Sequence, residues 1–162
     1  MKAIFKSRLI EFKWGLISIL MVLLWMLLER MVGLHDQHID KHSTYTNLIA
    51  IVWIVIYVVA LRQKRQVDFD GTMTYLQGFL SGFIITLIVT VFSPLTQYII
   101  STFITPNYFA NVSAYAVSKG MMSEANAAEY FTYQNYVVQA TVGALLMGTL
   151  TSAIVAFFMR KK

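Results

Sequence analysis

Residues 75–104, "YLQGFLSGFIITLIVTVFSPLTQYIISTFI", contain no charged side chain from end to end. A helix needs roughly 20 apolar residues to cross about 30 Å of hydrocarbon, so this stretch is long enough outright. In hydrocarbon the backbone must satisfy its own hydrogen bonds, which makes the stretch a helix. Pro94 lies inside it and removes one of those bonds, so a kink or break is expected near Ser93 and Pro94.

Working outward, residues 136–159 form a second charge-free run of sufficient length. Residues 48–61 become long enough by taking in the uncharged Tyr45, Thr46 and Asn47, and residues 14–28 by running through Glu29 and Arg30 to Leu34. The expected fold is therefore all-α: one integral membrane domain over residues 1–162, with four transmembrane helices at about 12–34, 45–61, 74–104 and 136–159. Composition agrees, with 57% hydrophobic residues, 13% charged residues and a mean hydropathy of +0.62, outside the range of soluble domains.

The charges are distributed unevenly. Lys2, Lys6, Arg8 and Lys13 precede the first run, Arg62, Lys64 and Arg65 follow the second, and Arg160, Lys161 and Lys162 close the chain, accounting for ten of the 13 basic residues. Cytoplasmic flanks carry the excess of Lys and Arg, so both termini are expected in the cytoplasm of a bacterial inner membrane, as four crossings require. No small-residue cleavage site follows the basic start and first apolar run, so that run is read as a retained anchor. The net charge of +5 thus marks topology, and no nucleic-acid partner is expected. Arg62, Lys64 and Arg65 also lie where anionic lipid headgroups would attract them. With no cysteine, disulfides and thiolate chemistry are excluded.

Residues 105–135 make the one sizeable segment outside the four runs. Thr105 can cap a helix whose first turn holds Pro106; Phe109, Val112 and Ala116 recur on one face with Tyr108 and Tyr115 beside them, and Lys119-Gly120 is a stop. A second helix is expected from Ser123, with Glu124 in its first turn. The aromatics Tyr108, Phe109, Tyr115, Tyr130, Phe131, Tyr133 and Tyr136 suit a membrane interface, so a helical hairpin resting on the outer leaflet is expected, in preference to a ligand groove.

The stretch "DFDGTMTYLQGFLSGFIITLIVTVFSPLTQYIISTFITPNYF", then "KGMMSEANAAEY" and a last glycine-bearing run ending in "FMRKK", resembles the bacterial membrane family called domain of unknown function 4199. The shared features are a glycine-flanked start to the third run, a Pro-Asn-Tyr exit, a Gly-Met-Met-Ser helix start and a basic tail. The resemblance implies four transmembrane helices and a source among Bacteroidota; it implies no catalytic residues. The histidine-rich loop is not part of that pattern.

That loop, "ERMVGLHDQHIDKH", offers His35, His38 and His42. On a continuous helix, at about 100° per residue, they fall within an arc of about 60°, which would suit a metal. Asp36 and Asp40 point elsewhere and Gly33 threatens the helix, so a polar, solvated loop is the favoured reading and no cofactor is expected. Counting from Trp14 at about 1.5 Å per residue puts Glu29 roughly 22 Å into the core, some 8 Å below the outer surface. An intramembrane carboxylate is costly and often functional; Arg30 is its nearest compensating charge, and both side chains can reach outward.

No serine, histidine and carboxylate set assembles, and no nucleophile motif occurs, so enzymatic activity is not expected. Gly78, Gly82, Thr86 and Thr90 in the third run, and Ala140, Ala144, Gly148, Ser152 and Ala156 in the fourth, are small residues at every fourth position. Aligned antiparallel, they pair Gly78 with Ala156, Gly82 with Ser152, Thr86 with Gly148 and Thr90 with Ala144. The expected function is that of a non-enzymatic assembly, accessory or scaffold subunit meeting lipid, another membrane protein or a second copy of itself. A small oligomeric transporter or channel is the alternative, and a metal-binding protein using residues 35–42 the third reading.

Overall fold

The structure, a computed structural model, describes residues 8–161; Lys2, Lys6 and Lys162 lie outside the described residues. Helix α1 covers Leu9–Met31. A short helix, α2 (Ile39–Tyr45), passes through a tight turn at Thr46–Leu48 into α3 (Ile49–Asp68). Helix α4 (Tyr75–Ile99) widens into a π-helical turn at Ile100–Ile104 and is followed by α5 (Tyr108–Ser118), α6 (Glu124–Tyr130) and α7 (Tyr133–Met159). The described residues contain no strand; an isolated antiparallel bridge joins Met73 to Lys161.

Four helical stretches are long and apolar enough to cross a membrane: Leu9–Met31, Ile39–Asp68, Tyr75–Ile104 and Tyr133–Met159. The second runs past the expected 45–61 at both ends, its 30 residues reaching about 45 Å, beyond the hydrocarbon thickness. Residues 39–44, polar after Ile39, continue the helix because they precede the apolar run without a breaker. At the far end, buried Ile56, Tyr57, Ala60, Leu61 and Lys64 keep one helical face inward through the basic residues.

Local chemistry explains the element ends. Thr74 and Gln77 form a reciprocal capping box at the start of α4, and Ser123 and Thr132 cap α6 and α7 by accepting from Asn126 N–H and Asn135 N–H. Gly120, at φ +67°, ends α5. Helix α5 begins at Tyr108 rather than at Pro106: the Thr105 hydroxyl, which would cap the new helix, turns back to donate to Ile100 O at 3.3 Å beside the 2.7 Å bond from Thr105 N–H that closes the π-turn. Helix α4 runs through Pro94 without the expected break. One missing N–H is tolerated in a helix packed on its neighbours, and Ser93 is tied across to α7 by a 2.7 Å hydroxyl bond to Thr141.

Helices α4 and α7 share the most extensive interface. A Cβ added at Gly78 would lie 3.2 Å from Ala156 Cβ, one at Gly82 would lie 2.9 Å from Ser152 Cβ, and one at Gly148 would lie 2.6 Å from Thr86 Cγ2. Near-absence of side-chain volume is what brings the backbones together, and Ser152 Oγ then reaches Phe79 O at 2.9 Å. Toward the opposite end the seam opens: Ala140 and Ala144 line a narrow apolar recess with Val89 and Ser93 instead of closing on a partner. Helix α1 approaches α4 at Gly15, where a Cβ would meet Ile88 Cγ2 at 2.6 Å. Tyr57 of α3 donates to Thr86 Oγ1 at 2.7 Å, and Thr86 passes its own proton to Gly82 O at 3.1 Å.

Candidate functional site

Two buried polar clusters lie at opposite ends of α1. At the end holding the first turn of α1 and the last of α7, Glu11 accepts from Lys64 Nζ (2.8 Å to Oε1) and from Arg8 Nη1 (3.1 Å). Lys64 also pairs with Asp68, one turn further along α3. Lys64 is 3% exposed, so it belongs to the bundle interior and not to the headgroup-facing set in which the sequence reading places it. Arg65 Nη1 caps the end of α7 by donating to Met159 O at 2.9 Å; of the three basic residues, Arg62 stays fully outward. Gln63 accepts from Trp14 Nε1 at 2.7 Å, fastening α3 to α1.

The other cluster is built by a turn that the sequence alone leaves ambiguous. Gly33, at φ +76°, ends α1: Leu34 N–H bonds Glu29 O at 2.9 Å and Gly33 N–H bonds Arg30 O at 3.0 Å. This pair of bonds, with the buried Leu34 after the glycine, is a Schellman motif. It reverses the chain, so His35 points back at the helix it has just left, and α2 then presents His42 to the same spot. His35 Nε2 lies 3.0 Å and His42 Nε2 3.4 Å from Glu29 Oε2, while Trp25 Nε1 donates to Oε1 at 2.5 Å.

The solvated-loop reading is thereby overturned for two of the three histidines: His35 is 5% exposed and His42 half-buried, whereas His38 faces outward. The continuous-helix geometry also fails, because the break at Gly33 separates His35 from the helix that carries His42. Asp36 takes the N–H of Gln37 and, like Asp40, is exposed. Glu29 does not reach outward; it is 1% exposed. Arg30 is not its partner but donates to Phe103 O at 3.2 Å on the bundle surface, because adjacent helix positions diverge by about 100°.

Aromatic rings close the site. Tyr108 packs edgewise against His35, with centroids 5.3 Å apart, and tilted against His42 at 5.1 Å, and its hydroxyl lies 3.3 Å from His42 Nδ1. Burial pushes the Tyr108 phenol up from its ordinary value, so it stays protonated. Asn111 Nδ2 donates to His35 O at 2.9 Å, tying α5 to the turn. Tyr136 and Phe109 stack edgewise at 4.9 Å behind Tyr108. Tyr108 and Asn111, three residues apart on α5, are the ones that face the histidines, a role that an expectation of interfacial aromatics does not contain.

Four membrane-length helices sealed by a small-residue seam, with a buried ionisable cluster near each end, define a four-helix membrane protein. The chain belongs to the family described as protein of unknown function (DUF4199), whose model matches residues 13–161. The match takes in Glu29, His35, His42 and Lys64 but not Arg8 and Glu11. No curated protein and no solved structure matches the chain.

Proposed function

We propose that this chain is a non-enzymatic accessory or assembly subunit of a bacterial inner membrane, with both termini in the cytoplasm and α5–α6 on the outer face, where it meets a partner membrane protein or lipid. The observation that supports this reading is the sealed interior. Polar side chains at mid-depth are tied together, Tyr57 with Thr86, Ser93 with Thr141 and Ser152 with Phe79 O, and Thr90 Oγ1 is buried without a partner. The half of the α4–α7 seam from Gly78 to Thr86 has no room for a larger side chain, let alone a file of water. A bundle closed in this way acts through its surface. What supports the proposed orientation is the gathering of Arg8, Lys13, Arg62, Arg65, Arg160 and Lys161 at the end that holds the first turn of α1 and the last of α7.

Crosslinking in native membranes followed by gentle purification of the full chain is expected to recover a stoichiometric membrane partner, and the purified chain in proteoliposomes is expected to pass no ion. Protein-dependent flux would turn the assignment to an oligomeric transporter. A cytoplasm-only reporter fused after Lys162 is expected to be active and one inserted beside Lys119 silent; the reverse pattern would invert the orientation.

A further inference from the structure

We propose that Glu29, His35 and His42 form a binding site for a divalent transition-metal ion of zinc's class. The donor atoms lie within 4.8 Å of one another, and two of the separations, 3.0 and 3.4 Å, meet at Glu29 Oε2. Donors at the usual bond length of about 2.0–2.2 Å from a tetrahedral ion sit roughly 3.4 Å apart. Two edges of such a tetrahedral face are therefore near their ligated length, and the histidine pair, within 4.8 Å, must close by as much as about 1.4 Å to complete it.

Electrostatics calls for a cation here. Glu29 lies in the last turn of α1, where the unsatisfied carbonyls make the helix end negative, so the helix itself opposes the carboxylate. Among the described residues, the basic groups within ion-pair distance of Glu29 are the two imidazoles, and Arg30 is turned away. With neutral imidazoles the cluster is a buried anion carrying two ring lone pairs. A divalent ion takes all three donors, and each imidazole proton then rests on Nδ1.

The surroundings hold the donors in place as metal sites require. Trp25 fixes Glu29 Oε1, Tyr108 Oη stands where His42 Nδ1–H can donate to it, and Asn111 fixes the backbone of His35, whose own Nδ1 has no hydrogen-bond partner. Two imidazoles and a carboxylate without thiolate select zinc and its first-row neighbours over calcium or magnesium.

The test uses the untagged full-length chain in detergent, stripped with chelator and titrated with Zn²⁺, then with Co²⁺ followed by its visible d–d absorption. Stoichiometric binding with a Kd of about 1 µM or tighter is expected, with a cobalt spectrum of four-coordinate nitrogen and oxygen ligation. His42→Gln, at a half-buried position that tolerates the change, and Glu29→Gln should each weaken binding by about 100-fold or more, and His38→Ala should leave it unchanged. Absence of wild-type binding at that affinity, retention in folded His42→Gln, or equal loss in His38→Ala would each overturn the site. Because the wild-type titration stands alone, a variant that fails to fold does not rescue the proposal.

Discussion

Glu11 and Glu29 sit on one helix, α1, and each is 1% exposed, yet they differ in nearly everything that governs a buried charge. Glu11 occupies the first turn, where the helix dipole favours a carboxylate, and two permanent cations, Lys64 and Arg8, reach it. Glu29 occupies the last turn, where the dipole opposes it, and is met by a Trp N–H, the Thr46 side chain and two imidazoles. The first is a closed structural ion pair. The second has the same burial without an obligatory counter-charge, and that imbalance is what makes it the candidate site.

The difference is broken most severely at Lys64. Lys64→Met should lower stability by about 3–5 kcal/mol, because it leaves Glu11 buried with only the half-exposed Arg8 beside it. Thermal unfolding in nanodiscs measures this, and adding Glu11→Gln should restore most of the loss. If the single variant unfolds no earlier than the parent, Glu11 is not held by Lys64 and the two ends are more alike than the geometry says.

Gly148→Leu comes next, at about 3 kcal/mol, by forcing a branched side chain against Thr86. Because the seam joins α4 to α7 between the two clusters, the loss should strike both ends together, seen as reduced amide-exchange protection around Lys64 and around His42 alike. A stable monomer that merely stops associating would instead place that seam between two copies.

Gly33→Ala should cost roughly 1–2 kcal/mol, the penalty for a Cβ in a left-handed backbone. The added methyl meets only the flexible Gln37 side chain, so strain and not collision dominates. Exchange protection should fall across residues 34–45 while the Lys64 end is unmoved. Equal loss at both ends would mean that the glycine turn is not what assembles the histidines.

Much of this architecture is legible in the sequence, because lipid imposes simple rules: charge-free length sets the spans, and small residues every fourth position set the register in which Gly78, Gly82 and Thr86 meet Ala156, Ser152 and Gly148. The clusters are not legible in the same way. Angular positions on an assumed continuous helix group His38 with the other two, whereas a glycine followed by the apolar Leu34 announces a Schellman stop that discards His38 and turns His35 inward. Lys64 reads as one of three topology charges; only its place on the stripe of Tyr57, Ala60 and Leu61 betrays that it faces the core.

The smallest expected effect is the most informative. Arg30 adjoins Glu29 in the chain and is the obvious counter-charge on sequence grounds, yet its guanidinium hydrogen-bonds Phe103 O on the exposed side. Arg30→Gln keeps a donor for that carbonyl and should change stability by less than about 0.5 kcal/mol, as surface substitutions do. A double-mutant cycle with Glu29→Gln sharpens the point: two groups with no shared contact should couple by less than about 0.5 kcal/mol. Coupling of about 1 kcal/mol or more would mean that Arg30 swings in to neutralise Glu29 in the membrane. The carboxylate would then have a resident cation as Glu11 does, and the electrostatic case for an external ion at the histidines would fall with it.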